Sequence, residues 1–415
     1  MFKSNRILST RNTKQIRFNF VHKVRKSDVS INFYPHKKII LAGIYIHIPF
    51  CRQKCHYCNF YSLASLKYAD SFIDALLQEI ALRKAYLSDE EIHTIYLGGG
   101  TPSLLSADSL NRIADVIHAH YLVHPDAEIT LEANPDDISK DYLHQLRHTF
   151  INRLSIGIQS FFDEDLVYLH RVHTSSQAHQ AIQLAKEAGF DKLTIDLIYG
   201  IPGLTDEKWE ANIAAFLDMD IHHLSAYALT VEPHTALAHL ISKGTMQAVD
   251  EQQSANQFEL LMQRMEAAGF IHYEISNFAR PGHYSRHNSL YWTAGNYLGL
   301  GPSAHSFNGY SRQWNVSNLK QYIEQIGQVE SITEKEILTI EQRYDEYVMT
   351  SLRTSWGCDL EHIQNAFGTT YSDYCNKQAE KYIQSGHLTK LQNRYFLTFK
   401  GKLFADGIAS ELFMV

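Results

Sequence analysis

The sequence predicts an α/β fold, an incomplete, TIM-like (β/α)6 barrel followed by a small, mostly helical, winged-helix-like domain. Between residues 42 and 230, short apolar runs alternate with amphipathic stretches, which is typical of parallel βα units. The 415 residues, 45% of them hydrophobic, are enough for two or three domains with a sizeable core. The number of predicted strands and helices alone does not exclude a full eight-fold barrel or an open doubly wound sheet, which remain alternatives.

The predicted elements of the barrel follow one another in a regular order. Leu76, Ile80 and Leu82 give the first helix a partly buried face. In parallel barrels the chemistry lies at the carboxyl ends of the strands, so the polar residues there are the candidates for a site. The predicted strands are 44–48, 94–97, 129–131, 153–158, 193–198 and 223–229, and the predicted helices are 68–86, 106–120, 138–147, 175–188 and 206–218.

In the last third of the chain, strands and helices no longer alternate regularly. A helix over 250–268 is followed by a break at Pro281 and Gly282, and residues 283–330 are predicted to be irregular and packed on the barrel. A helix over 339–352 and a short hairpin around Asn393 and Arg394 then predict the winged-helix-like domain. The predicted divisions are 1–40, a basic and disordered extension; 41–280, the barrel; 281–334, a segment packed on it; and 335–415, the C-terminal domain.

The net charge of −7 hides an asymmetry between the two ends of the chain. Residues 1–40 carry +9 and the remainder carries −16, and an acidic body argues against non-specific binding of nucleic acid. The basic end is interpreted as a transit peptide, a tail that touches anionic lipid, or, slightly favoured, sequence upstream of a natural start near Leu41. No run of 18 apolar residues predicts a membrane-spanning helix. The expected location is the cytoplasm, with peripheral membrane association or a mitochondrion as alternatives.

Three cysteines, Cys51, Cys55 and Cys58, follow the first predicted strand with the spacing C-x3-C-x2-C. Three thiolates can hold three irons of a [4Fe–4S] cluster and leave the fourth iron open. A structural zinc site needs four ligands, and Cys358 and Cys375, too distant to supply one, are interpreted as buried small hydrophobes. The spacing is typical of radical S-adenosylmethionine (SAM) proteins, in which SAM chelates the open iron.

Polar residues at the ends of the predicted strands are the candidates for binding SAM. Glycines in 98–102 allow close approach of the backbone to SAM's amino group. An acid can accept both ribose hydroxyls, and an arginine can pair with a carboxylate. For any one of these residues alone, a structural role such as a helix cap or a salt bridge is about as well supported as contact with SAM. The predicted SAM contacts are Tyr45, Tyr57, Gly99, Gly100, Thr101, Glu132, Gln159, Arg171 and Asp196.

Residues 45–58 resemble one branch of the radical SAM proteins, and the match continues over most of residues 42–400. The branch holds HemN, the oxygen-independent coproporphyrinogen III oxidase, and HemW, a haem chaperone. Asn59-Phe60 stands where the oxidase pattern has a further cysteine. Residues 287–292, His-Asn-Ser-Leu-Tyr-Trp, resemble the H-N-x-x-Y-W haem-binding motif of HemW. The chain is therefore identified as resembling the HemW family.

This resemblance implies a chaperone that binds haem through His287 and passes it to an acceptor haem protein. A respiratory, membrane-associated acceptor and a homodimer are further expectations of it. The alternative is a coproporphyrinogen III oxidase of porphyrin biosynthesis, in which SAM cleavage gives a 5′-deoxyadenosyl radical that starts loss of CO2 from a propionate. A radical SAM enzyme with an unrelated substrate is a third option. No catalytic residue is assigned.

Overall fold

A computed structural model describes residues 42–87 and 90–414 of the chain. The predicted basic extension, residues 1–40, lies outside the described residues. Within the described part of the chain, no helix combines the length and the apolar character that crossing a bilayer requires.

Six parallel strands, each paired with the next in chain order, form the centre of the molecule. This confirms the incomplete (β/α)6 barrel. The sheet has two free edges, so the eight-fold closed barrel is wrong, and the sequential order excludes the doubly wound sheet. The strands are β1 (Ala42–Ile48), β2 (Ile92–Gly99), β3 (Val123–Ala133), β4 (Arg153–Gln159), β5 (Leu193–Tyr199) and β6 (His223–Ala228).

Helices between these strands cover the outside of the barrel. The first has a buried face that includes Leu76 and Ile80, but Leu82 at its end is 47% exposed, so its predicted burial is wrong. Two short helices, α4 (Asp163–Leu169) and α7 (Ala236–Ser242), are not predicted. The helices are α1 (Ala69–Leu82), α2 (Ala107–His120), α3 (Lys140–Leu146), α4 (Asp163–Leu169), α5 (Ser175–Glu187), α6 (Asp206–Asp218), α7 (Ala236–Ser242) and α8 (Glu251–Ala267).

The prediction that residues 283–330 are irregular is wrong. They contain short elements that extend the sheet, with β9 parallel to β1 on its open side. Strands of three to five residues depend on their neighbours for stability, so their own sequence gives a weak signal. The elements from residue 271 onward are β7 (Ile271–Glu274), β8 (Asn277–Ala279), α9 (Arg286–Trp292), β9 (Asn296–Leu300), β10 (His305–Phe307), β11 (Ser311–Asn315), α10 (Leu319–Gln325), α11 (Val329–Ile332) and β12 (Thr333–Ile337).

A buried carboxylate, Glu79 on α1, anchors this added segment. It accepts hydrogen bonds of 2.7 Å from the Gly301 backbone amide, the Asn315 amide and the Tyr322 hydroxyl. Arg83, also buried, lies 3.5 Å from the same carboxylate. A buried charge is stable only when it is paired and hydrogen-bonded, and here both conditions are met.

The C-terminal domain has its own hydrophobic core, separate from that of the barrel. The predicted hairpin around Asn393 and Arg394 is confirmed, and Cys358 and Cys375 are buried in this core as predicted. The division of the chain at residues 280 and 334 stays a prediction. The elements are α12 (Ile340–Leu352), β13 (Cys358–Asp359), α13 (Leu360–Phe367), α14 (Thr369–Gln384), β14 (Leu388–Leu391), β15 (Arg394–Leu397), α15 (Phe399–Lys402) and α16 (Ala405–Glu411).

Candidate functional site

The three cysteines lie in the loop that follows β1, and all three are half-buried free thiols. The Cys51 amide donates to the Leu63 carbonyl at 3.0 Å, and the Cys58 amide donates to the Cys55 carbonyl at 3.3 Å. Burial, with a smaller contribution from the neighbouring Cys55 and Cys51 thiols, raises the pKa of Cys58 to about 11. All three thiols lie in one loop of eight residues, as the ligands of one cluster do in this spacing.

Arg171 connects this cysteine loop with the ends of two strands. Its Nη1 donates to Cys55 Sγ at 3.4 Å, and its Nη2 donates to Asn134 Oδ1 at 2.5 Å and to the Gly157 carbonyl at 2.9 Å. Its buried Nε has no hydrogen-bond partner among the described residues. A guanidinium donates readily to carboxylates, so this free donor suits the carboxylate of a ligand bound beside the cysteines.

The glycine-rich end of β2 packs directly against the cysteine loop. A Cβ at Gly100 would lie 2.5 Å from the Phe50 carbonyl oxygen, and one at Gly99, whose φ is +104°, would lie 2.5 Å from the His47 ring. The Gly100 and Thr101 amides donate to carbonyls of the β1 end at 2.8 and 2.6 Å. An ammonium group only donates hydrogen bonds, so that of a ligand would bind here through backbone carbonyls.

Two carboxylates, Glu132 and Asp196, extend into the barrel interior. Glu132 accepts from the Tyr96 hydroxyl at 2.7 Å and from the Gly99 amide at 3.1 Å, and Asp196 accepts from Ser155 Oγ at 3.2 Å. Burial raises the pKa of Glu132 to about 7 and that of Asp196 to about 6, and the charge of Asp196 also raises the pKa of Glu132. Both are suited to accept hydrogen bonds from a sugar.

Gln159, at the end of β4, adopts a positive φ of 67°. A Cβ built at Gly157 would lie 2.8 Å from Gln159 Nε2 and 3.3 Å from Arg171 Nη2. The two predicted residues therefore converge at one strand end, together with Asn134. Asn134 is absent from the predicted set, although its position directly after the third strand could have indicated it.

Two tyrosines complete the predicted SAM set. Tyr45 is buried, lies 3.2 Å from His47 Nδ1 through its hydroxyl, and stacks on Tyr96 with 6.2 Å between ring centroids. Tyr57 lies between two of the cysteines and packs against the barrel core, and burial raises its pKa. Tyr96, which sequence reasoning missed, could have been found from the alternation that places it on the same face of β2 as Gly98.

His287, the predicted haem ligand, lies on α9 and is only 1% exposed. Its Nδ1 is 2.8 Å from Thr94 Oγ1 and its Nε2 is 2.8 Å from the Tyr291 hydroxyl. Burial lowers the pKa of His287 to about 3, so the imidazole is neutral. Thr94 lies near the start of β2, whereas Glu132 lies near the end of β3, so His287 is closer than Glu132 to the amino ends of the strands.

Comparisons with known proteins agree with this architecture. The profile of the radical SAM superfamily matches residues 45–215, and that of the HemN C-terminal domain matches residues 338–404. The radical SAM family implies a [4Fe–4S] cluster and SAM. Coproporphyrinogen III oxidase (HemN) from Escherichia coli superposes with a TM-score of 0.78 over 92% of both chains, at 24% identity, which shows a shared fold.

Three relatives cover almost the whole described chain. The heme chaperone HemW of Mycobacterium tuberculosis is 36% identical over 375 residues, which are 89% of this chain and 94% of that protein. HemW of Bacillus subtilis is 34% identical over 89% of this chain and 98% of its own length, and HemW of Escherichia coli is 32% identical over 91% and 99%. The chain therefore belongs to the HemW family within the radical SAM proteins.

Proposed function

We propose that this protein is a haem chaperone that binds haem and transfers it to an acceptor haem protein. The observation that carries the proposal is the helix α9. In a chain of the HemW family, this helix carries the residues of the H-N-x-x-Y-W pattern and buries His287, whose ring lies 6.5 Å from that of Tyr45, a predicted SAM contact. The acceptor is a separate haem protein, and a homodimer is part of the proposal.

Cys51, Cys55 and Cys58 fit a [4Fe–4S] cluster, because three neighbouring thiols form the donor set that such a cluster takes. When bound, the cluster supplies an iron that SAM's amino and carboxylate groups chelate. Arg171 would pair with the SAM carboxylate through its free Nε, and Glu132 or Asp196 would accept the ribose hydroxyls. A reducing compartment, the cytosol or a mitochondrial matrix, suits half-exposed thiols of this kind.

His287 would ligate the haem iron, since an imidazole nitrogen is the usual axial ligand. Ligation needs a nitrogen with a free lone pair, and both ring nitrogens are hydrogen-bonded in this conformation. The protein would therefore bind haem in a second conformation, in which α9 moves away from β2 and exposes His287. In that conformation Tyr291 and Trp292 would offer flat apolar faces to the porphyrin.

The oxidase alternative is not favoured. Asn59 and Phe60 stand where the oxidase pattern has a further cysteine, and the relatives that cover the chain are heme chaperones. Decarboxylated porphyrinogen as a product of the purified protein with SAM would restore this alternative.

A haem titration of the anaerobically reconstituted protein, followed by the Soret band, tests the proposal. Wild type should bind about one haem per chain, and His287→Ala should lose saturable binding. His283→Ala is the control, because His283 lies just before α9 in a ring contact with His222. Saturable binding that survives His287→Ala would move the ligand elsewhere, and none in wild type would refute the chaperone.

A further inference from the structure

We propose that Arg353 of the C-terminal domain is a positioning residue that holds α9 closed, so that this domain controls access of haem to His287. The inference rests on the proposed function, because it explains how a buried motif becomes available. Arg353 lies directly after α12 and its side chain is 14% exposed.

The guanidinium of Arg353 covers one face of the haem-motif tryptophan. Its Cζ lies 5.2 Å from the centroid of the Trp292 ring, and Nη1 forms an ion pair with Asp406 on α16. The arginine thus connects α9 with a helix of the C-terminal domain. A porphyrin that stacked on this face of Trp292 would have to displace the guanidinium.

The backbone that carries Arg353 is fixed to the β7–β8 turn. The Ile275 amide donates to the Arg353 carbonyl at 3.1 Å, and the Ser355 amide donates to the Tyr273 carbonyl at 2.9 Å. The Trp356 ring lies 6.2 Å from the Tyr273 ring. We call residues 353–356 the latch segment.

Helix α9 contacts strand β7 through the Tyr273 side chain. Asn288 Nδ2 donates to the Tyr273 hydroxyl at 3.1 Å, and Trp292 Nε1 donates to Asn288 Oδ1 at 3.3 Å. Tyr273 therefore contacts both the latch segment and the haem motif. Movement of the C-terminal domain would remove the guanidinium from Trp292. The same movement would weaken the hydrogen bond between Asn288 and Tyr273.

The consequence for haem binding follows from the population of the open form. A ligand that binds only a minor conformation has an apparent affinity reduced by the fraction of that conformation. A partly desolvated cation–π contact stabilises the closed form enough to change that fraction about tenfold. An acceptor that docks on the C-terminal domain would shift the same equilibrium.

The test compares Arg353 with Arg343, which lies on α12, in the anaerobically reconstituted full chain. Arg353→Ala removes the contact with Trp292, and Arg343→Ala removes a similar contact, 5.7 Å from the Tyr310 ring, that does not involve α9. Hemin is mixed with each variant in a stopped-flow instrument. The Soret band should rise about tenfold faster in Arg353→Ala, with Arg343→Ala equal to wild type and Arg353→Lys between them.

Hydrogen exchange of residues 286–292 without haem gives a second readout. It should be faster in Arg353→Ala, unchanged in Arg343→Ala, and partly restored in Arg353→Lys. Unchanged exchange and an unchanged Soret rate in Arg353→Ala would overturn the proposal, and so would equal effects of both alanine variants. If wild type bound no haem, the proposed function would fail, whereas the exchange rates would still decide whether Arg353 holds α9.

Discussion

The imidazole of His287 stacks on the phenol ring of Tyr96, with 5.1 Å between ring centroids and 23° between planes. The hydroxyl of the same tyrosine donates to Glu132 at 2.7 Å. One side chain thus contacts the predicted haem ligand through its face and the predicted SAM site through its hydroxyl. This arrangement lets the two contacts be removed separately.

Tyr96→Phe should weaken SAM binding and leave haem binding unchanged. The substitution keeps the ring on His287 but removes the hydrogen bond that orients the Glu132 carboxylate, so SAM affinity should fall by up to about tenfold. Equilibrium binding of SAM to the cluster-loaded protein measures the first effect, and the Soret titration measures the second. Tyr297→Phe is the control, because Tyr297 contacts Tyr291 instead. Equal SAM affinity in wild type and Tyr96→Phe would contradict the assignment of Glu132.

Gly100→Ala should destabilise the protein, because the added Cβ would lie 2.5 Å from the backbone oxygen of Phe50, which cannot move without the cysteine loop. Overpacking of this kind costs about 1–3 kcal/mol in the free energy of unfolding. Denaturant melts of the cluster-free protein measure it. Gly327→Ala is the control, since the nearest atom to its Cβ is a side-chain nitrogen at 3.6 Å. Equal stability of the two variants would show that the cysteine loop can shift to accommodate the added Cβ without a cost in stability.

Stability should fall as the pH rises through the range in which Glu132 ionises. Its folded-state pKa of about 7 lies above the unfolded value of about 4.3, so the folded protein holds the proton more tightly. Ionisation therefore costs stability progressively from about pH 4, and the full cost, of the order of 3–4 kcal/mol, is present above pH 7.

Glu132→Gln removes this titration but also changes a hydrogen bond. The quantity to compare is therefore the change in the free energy of unfolding with pH, and not its value at one pH. Urea melts of the cluster-free protein at pH 5 and pH 8 should show a smaller loss in Glu132→Gln than in wild type. If the two proteins lost the same free energy, the carboxylate would not titrate in this range.

Cys55→Ser should lose the cluster, because two thiolates cannot replace three in holding the irons. The brown absorbance and the iron content of the reconstituted protein are the measurements. Cys375→Ser, a change in the core of the C-terminal domain, should keep both. Four irons retained by Cys55→Ser would refute the cluster assignment.

The barrel could be predicted from the sequence because each strand shows its own apolar pattern, and most of the predicted SAM residues lie in such a strand or just after it. Asn134 and Tyr96 lie next to predicted residues, but their roles depend on contacts with Arg171 and His287 that are distant in sequence. The burial of His287 could not be predicted, because a seven-residue helix shows no clear period and its environment comes from β2 and β3.

The anchoring of the added strands by Glu79 has a mechanical consequence for the opening of α9. Gly301 abuts the His47 carbonyl, and the Leu319 amide donates to the Tyr61 hydroxyl at 2.7 Å, so the anchored segment also braces the cysteine loop. Hydrogen bonds thereby connect α1, the added segment and the cysteine loop on the β1 side of the barrel. If α9 moved, the backbone would change conformation in the few residues that join α9 to β8 and β9. The spacing of the three cysteines would then stay the same when haem binds and when it leaves.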